Sequence, residues 1–197
     1  MSWPNLFALV TEFNHAHYAP LTMLSLAVDY HFWRLNPLRY HLSNLLLHTA
    51  TAVLVCVFLW SILPSLGSAT LAALIFALHP VQMEAVSLAI QRKTVLSGAL
   101  FFLTLIAYQT WRRSGRRRHY AAAVAAFLAA GLAKPIVVTW PPLLWFYDFI
   151  FIGGRLRIAE KLPFVVIASA VAGAAVAAHT AVGAMHPPHG GTVPRTY

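Results

Sequence analysis

The sequence predicts an all-α, polytopic membrane helix bundle with about six membrane segments following an interfacial helical region. Three observations predict it. Of the 197 residues 59% are hydrophobic and 10% charged, with mean hydropathy +0.68, more apolar than a soluble domain of this size needs for its core. The apolar residues fall in runs that approach the roughly 20 needed to cross a hydrocarbon core of about 30 Å. Most of the basic residues sit in two short blocks between those runs, Arg112-Arg113-Ser114-Gly115-Arg116-Arg117-Arg118 and Arg155-Leu156-Arg157 with Lys161, as expected of cytoplasmic loops.

Residues 1–40 are too often interrupted by His15, His17, Asp29, His31, Arg34 and Arg39 to span. Leu21, Leu24, Val28 and Phe32 nevertheless recur at helical spacing, which predicts an outer-face loop with an interfacial amphipathic helix, Tyr30 and Trp33 at headgroup depth. Residues 41–185 form the transmembrane bundle. Its clearest span is 42–63, stopped by Pro64 and Gly67. The run 66–78 is shorter and meets His79-Pro80 and a half-polar stretch to Arg92. Segment 94–111 runs into the first arginine block, and the alanine-rich segment 120–133 stops at Lys134-Pro135, where proline disfavours helical geometry at Lys134. Segment 136–152 closes at Gly153-Gly154, and 162–185 is rich in small residues that permit close helix approach. Residues 186–197 begin another outer-face loop.

Two crossings separate the arginine blocks, so both face one side, and the positive-inside rule makes that side cytoplasmic. Residues 1–40, the segment 79–93 and the Lys134-Pro135 break then gather on the outer face. A re-entrant hairpin over 120–152 would instead bury Lys134.

Net charge +9 suggests nucleic acid until its position is considered; no basic groove interleaved with aromatics is present, so no nucleic-acid partner is expected. The single cysteine, Cys56, lies in an apolar run and reads as a packing residue. The N-terminus lacks the pattern of a signal peptide. His41 and His48 lack i, i+4 spacing and His15 and His17 have bland interfacial readings, so no metal site is assigned. Soluble nucleophile, P-loop and dinucleotide motifs are absent.

Chemistry therefore has to come from the outer polar residues. Acidic groups near lipid are retained where they pair, coordinate or react, which singles out Glu84 beside His79, Arg92 and Lys93. A clamp to Arg92 would explain Glu84 without function. Arg92 and Lys93 suit a phosphate, the first as a bidentate fork and the second as a point charge, although both could simply snorkel. Lys134 interrupts an apolar stretch beside a proline that frees backbone groups, the setting of a ligand-lined cavity.

Four segments carry a resemblance: His17-Tyr18-Ala19-Pro20-Leu21-Thr22; Tyr40-His41-Leu42-Ser43-Asn44-Leu45-Leu46-Leu47-His48; Phe76-Ala77-Leu78-His79-Pro80-Val81-Gln82-Met83-Glu84-Ala85-Val86 with Arg92-Lys93; and Leu132-Ala133-Lys134-Pro135. Together, over about residues 13–150, they resemble the membrane part of TMTC-type proteins and their bacterial relatives, which couple a multispan O-mannosyltransferase-like region to tetratricopeptide repeats. The resemblance implies a GT-C glycosyltransferase fold and transfer of a sugar, often mannose, from a polyprenyl-phosphate carrier to a protein hydroxyl. The donor is a substrate, and no cofactor is implied. Membrane lipid, the donor and a protein acceptor are the expected partners, and a bacterial inner membrane with a periplasmic site is the expected location.

Carried over by position, His79, Glu84, Arg92, Lys93 and Lys134 would line the donor site, with the cations at the lipid phosphate. A carboxylate is expected as general base on the acceptor hydroxyl. The family's acidic residue precedes the Pro-Leu-Thr segment, where this chain offers Glu12 without the usual acidic pair; Asp29 and Glu84 are the other candidates. Thr94 stands where the family has Asp after Arg-Lys, and Gln82-Met83 where it has His-Val. No helical repeat of about 34 residues follows, so the chain is expected to be a fragment of a longer transferase. The alternative is a non-catalytic membrane subunit or scaffold that binds lipid phosphate. A transporter, which would need paired broken helices, ranks below both.

Overall fold

A computed structural model describes residues 19–151 and 158–185, and the side chains of Val138 and of residues 181–185 lie outside that description. All regular structure among the described residues is helical. In chain order it consists of α1 (Pro20–Trp33), α2 (Pro37–Trp60), α3 (Leu66–Leu78), α4 (Val81–Ser87), a 3-10 turn (Ala89–Gln91), α5 (Arg92–Ser114), α6 (Arg117–Ala133), a second 3-10 turn (Pro135–Thr139), α7 (Pro141–Phe151) and α8 (Ile158–Met185).

Local chemistry sets most boundaries. Pro20, Pro37 and Pro141 open helices, where the missing N–H costs nothing. Asn36 caps α2 by accepting from Leu38 N at 3.1 Å, and Ser65 caps α3 by accepting from Ser68 N at 3.1 Å. Gly115, at φ +67°, ends α5 in the left-handed conformation that disfavours a Cβ. Lys134 is extended before Pro135, with φ −155° and ψ 124°, as proline steric demands require.

Three helices are long and apolar enough to cross a membrane, Pro37–Trp60, Ala89–Ser114 and Ile158–Thr180, making this an integral membrane protein. A fourth crossing exists only if α3 and α4, which meet at a 64° bend after His79-Pro80, count as one broken span. The expected six crossings are therefore not found among the described residues. The reason is length. Helix α6 has 17 residues opening on Arg117 and Arg118, and α7 has 11, so they reach about 25 and 17 Å where a span needs about 30 Å.

The interior forms where α5, α6, α7 and α8 meet. Tyr108, Phe127, Val137, Leu144 and Phe164 are almost fully buried there, with the Phe127 and Phe164 rings edge to face at 5.2 Å. Ala123, Ala126, Ala130 and Ala133 give α6 a small-residue face that admits neighbours closely. Gly131 marks the tightest approach, since a Cβ there would lie 3.0 Å from Val171 Cγ2 and 3.3 Å from Val137 Cγ2. Gly131→Leu is expected to lower stability by about 1–3 kcal/mol through overpacking, measured by thermal unfolding in detergent.

Lys161 departs from its expected place in a basic loop. It lies in α8, 1% exposed, and donates to Asp148 of α7 and Tyr108 of α5. The α7 carboxylate supplies the opposite charge that burial demands. Arg155 and Arg157, with residues 1–18 and 186–197, lie outside the described residues.

Candidate functional site

The ends of α1, α2, α5 and α6 converge on a polar cluster. Helix α1 is held against the end of α6 by Thr22 Oγ1, which donates to Ala133 O at 2.9 Å. Its Leu24, Val28 and Phe32 are exposed, a face suited to lipid. Asp29 turns inward, its Oδ2 2.6 Å from Arg92 Nη2.

Arg92 and Lys93 are neighbours in sequence with opposite fates. Arg92, 2% exposed, donates through Nε to Asn44 Oδ1 at 2.7 Å and through Nη2 to Tyr40 O at 3.3 Å, besides pairing with Asp29. Asn44 in turn donates through Nδ2 to Leu88 O at 3.0 Å. The guanidinium thus ties α1 and α2 to the start of α5, and Asn44 fixes the turn after α4. Successive residues on a helix point about 100° apart, so Lys93 faces away from this buried junction and is half-buried.

Lys93 belongs to a second group. Lys134 Nζ donates to Thr94 Oγ1 at 3.0 Å, Thr94 donates to Gln91 Oε1 at 3.1 Å, and Gln91 Nε2 donates to Glu84 Oε1 at 3.1 Å. An unbroken hydrogen-bonded line therefore runs from an exposed carboxylate to a half-buried ammonium, across three segments of chain. Burial first, and the Lys93 charge second, hold Lys134 below the ordinary lysine range. Two ammonium groups near each other, with no carboxylate directly on Lys134 among the described residues, attract an anion. His79 stands at the bend before α4, exposed, its Nδ1 accepting from Val81 N at 3.2 Å.

The structure thus brings Glu84 and Lys134 into one line, places Lys93 beside it, seats Arg92 and Asp29 in a separate buried pair, and leaves His79 as a local cap. Glu84 binds Gln91 rather than Arg92. Glu12 lies outside the described residues. Gln91 was not named from sequence, Asn44 entered only within a resemblance segment and Thr94 only as a departure from the family's Asp, because neutral polar residues next to charged ones carry little signal. Below Asp29 and Arg92 an apolar groove of about 510 Å³ runs between Leu21, Leu24, Val28, Leu46, Leu96 and Leu100. Among the described residues no three His, Cys, Asp or Glu side chains group as a metal site.

Sequence comparison finds curated relatives. The chain is 32% identical to Protein O-mannosyl-transferase TMTC2 of Homo sapiens over 157 residues, covering 76% of this chain and 18% of that protein. It is 32% identical to Protein O-mannosyl-transferase Tmtc1 of Drosophila melanogaster over 134 residues, 66% of this chain and 15% of that protein. With Protein O-mannosyl-transferase tmtc2 of Xenopus laevis it shares 40% over 95 residues, 48% of this chain and 11% of that protein.

The chain is related to the TMTC-type proteins. No family model and no solved structure matches it. The chain spans less than a fifth of the length of these curated relatives. They come from human, fly and frog, which overturns the expected bacterial inner membrane and periplasmic site: apolar helices support a membrane protein, and the resemblance that suggested a bacterial one is to animal proteins.

Proposed function

We propose that this chain supplies the donor-binding part of a membrane glycosyltransferase of GT-C type, which moves a sugar, as mannose, from a polyprenyl-phosphate carrier to a protein hydroxyl. The observation that carries this reading is the line Glu84–Gln91–Thr94–Lys134 with Lys93 alongside. Lys134 and Lys93 hold the donor phosphate, Thr94 aims the Lys134 ammonium, and the apolar groove by α1 receives part of the lipid chain. The names of the relatives, protein O-mannosyl-transferases, support transfer to protein.

Lys134 and Lys93 act on a charge that grows as the glycosidic bond breaks and the phosphate leaves, so their contribution is larger in the transition state than in the bound donor. Glu84 is the exposed carboxylate of the described cluster, and we assign it the acceptor hydroxyl's proton, since Asp29 is engaged by Arg92.

The test is transfer of radiolabelled mannose from polyprenyl-phosphate-mannose to protein, with donor binding measured in parallel on detergent-purified chain. Lys134→Met is expected to lower both by at least about tenfold, the cost of one charge-assisted hydrogen bond. Glu84→Gln is expected to abolish transfer and spare binding. Donor bound by the unaltered chain without transfer would favour a non-catalytic lipid-phosphate subunit, a reading supported by the engagement of Asp29 with Arg92. A chain that neither binds nor transfers sinks both readings.

The lowered pKa of Lys134 gives a pH dependence with a definite sign. The ammonium is the binding form, so donor affinity is expected to fall as pH rises through a value below the ordinary lysine range. Lys134→Arg keeps its charge throughout and is expected to flatten that fall, as read from binding isotherms between neutral and alkaline pH.

A further inference from the structure

At the arginine-rich end, away from the Lys134 cluster, α2, α5 and α7 enclose a cavity of about 420 Å³ lined by Ser61, Ile62, Gln109, Arg112, Arg113, Tyr147 and Phe151. Its position is informative. Ser61 and Ile62 follow the last residue of α2, and Arg112 and Arg113 close α5, so the cavity opens where two membrane-crossing helices leave the lipid.

Charge around it does not balance. Arg112 Nη1 donates to Glu160 Oε2 at 2.9 Å, and Lys161 is bonded to Asp148, so two carboxylates face Arg112, Lys161 and Arg113 among the described residues. Arg113 is the cation left over: its Nη2 donates to the backbone oxygen of Ser61 at 2.8 Å, and no described carboxylate pairs with it.

Donors in the cavity are also left over. Arg112 Nε is buried and stands 3.6 Å from Asp148 Oδ1, too long for a hydrogen bond. Gln109, 4% exposed, has its Oε1 2.7 Å from Ser61 Oγ; its Nε2 makes no hydrogen bond of good geometry among the described residues, although its side chain also interacts with the Tyr147 hydroxyl in the cavity wall. Buried donors without well-placed acceptors are costly, and a pocket holding Arg112 Nε, with Asp148 only at ion-pair distance, and Gln109 Nε2 beside the exposed Arg113 guanidinium favours an anion.

We infer that this cavity binds the phosphate of an anionic membrane lipid, at the end of the molecule opposite the proposed donor site and independently of it. Arg113 and Arg112 present planar guanidinium donors to the phosphate oxygens, and Gln109 Nε2 adds a third. Ser61 has one proton and stands also 2.5 Å from Phe58 O; with the anion bound that proton is committed to Gln109 Oε1, holding Nε2 toward the phosphate. Ile62 and Phe151 form the apolar side of the opening, against which the first acyl carbons lie. Exposed Arg116, Arg117 and Arg118 on the adjoining loop and start of α6 concentrate anionic lipid near the mouth without forming the pocket.

The experiment measures dioleoyl phosphatidylglycerol binding to the detergent-solubilised full chain, with phosphatidylcholine and inorganic phosphate as comparison probes. Arg113→Gln is expected to weaken phosphatidylglycerol binding by about tenfold or more, whereas Arg118→Gln, which removes the same charge outside the cavity, changes it less than about twofold. Gln109→Glu, which keeps the shape and puts a carboxylate against the phosphate, is expected to weaken it comparably, with folding checked by thermal melting should Arg113→Gln prove unstable. Equal losses from Arg113→Gln and Arg118→Gln would overturn the site in favour of diffuse attraction. So would binding of phosphatidylcholine as tight as phosphatidylglycerol. Inorganic phosphate that binds as tightly, with the same sensitivity to Arg113→Gln, would confirm the phosphate pocket and remove the lipid from it.

Discussion

Arg92→Met is expected to destabilise the protein by about 3–5 kcal/mol, the cost of stranding the partners of a buried ion pair. Three groups lose their partner at once: Asp29, whose carboxylate is 2.6 Å from the guanidinium, the Asn44 side-chain oxygen and the Tyr40 carbonyl. Because those groups sit on α1 and α2, the substitution should loosen α1 from the bundle before the whole structure melts. Thermal unfolding in detergent gives the total, and proteolysis near Arg34 and Arg39 reports the early release of α1. The double variant Asp29→Leu with Arg92→Met removes both charges and is expected to recover a large part of the loss, since an apolar pair replaces an ion pair at little net cost. A double variant as unstable as Arg92→Met would mean that Asn44, rather than Asp29, is the essential partner.

The second large effect lies at the other end. Lys161→Met is expected to cost about 3–5 kcal/mol, because it leaves Asp148 buried against Tyr108 with its nearest cation among the described residues removed. Here Arg112 offers partial compensation, since its Nε already stands 3.6 Å from the other oxygen of Asp148. Asp148→Asn in the unaltered chain is expected to be equally harmful, because it strands Lys161, which is 1% exposed. Pairing Lys161→Met with Asp148→Leu should restore stability, and the four thermal midpoints together give the coupling energy. Additive effects would show that the two side chains do not act as a pair.

Arg92 and Lys93 show where legibility in the sequence stops. Two adjacent cations at a membrane boundary look alike, and the resemblance to a transferase family assigns both to the phosphate. Packing separates them, because one residue of helical rotation takes Arg92 into contact with Asp29 and Asn44 and leaves Lys93 beside Lys134. Lys161 shows the same limit. Beside Arg155 and Arg157 it reads as part of a solvated block, and Asp148 and Tyr108 on other helices are the described partners that accompany its burial. Thr94 and Gln91 carry the line from Glu84 to Lys134, yet neither charge nor periodicity marks them.

Run length was legible for the same reason that pairings were not. Whether a segment crosses lipid depends on its own apolar length and on where proline and glycine interrupt it, so the spans over α2, α5 and α8 could be read directly, as could the break at Lys134-Pro135. Short segments escaped this rule. Residues 120–133 and 136–152 are apolar enough to be mistaken for crossings, but their described residues fold as α6, which packs along α5, and as a 3-10 turn with the 11-residue α7. By itself the sequence determined a helical membrane protein related to the TMTC-type proteins and the set of polar residues from which a site is proposed, because composition, spacing and motif are local properties. The tertiary structure decided which cations are neutralised by buried carboxylates and which are left to meet an anion, because electrostatic pairing depends on distances between helices that no local pattern encodes.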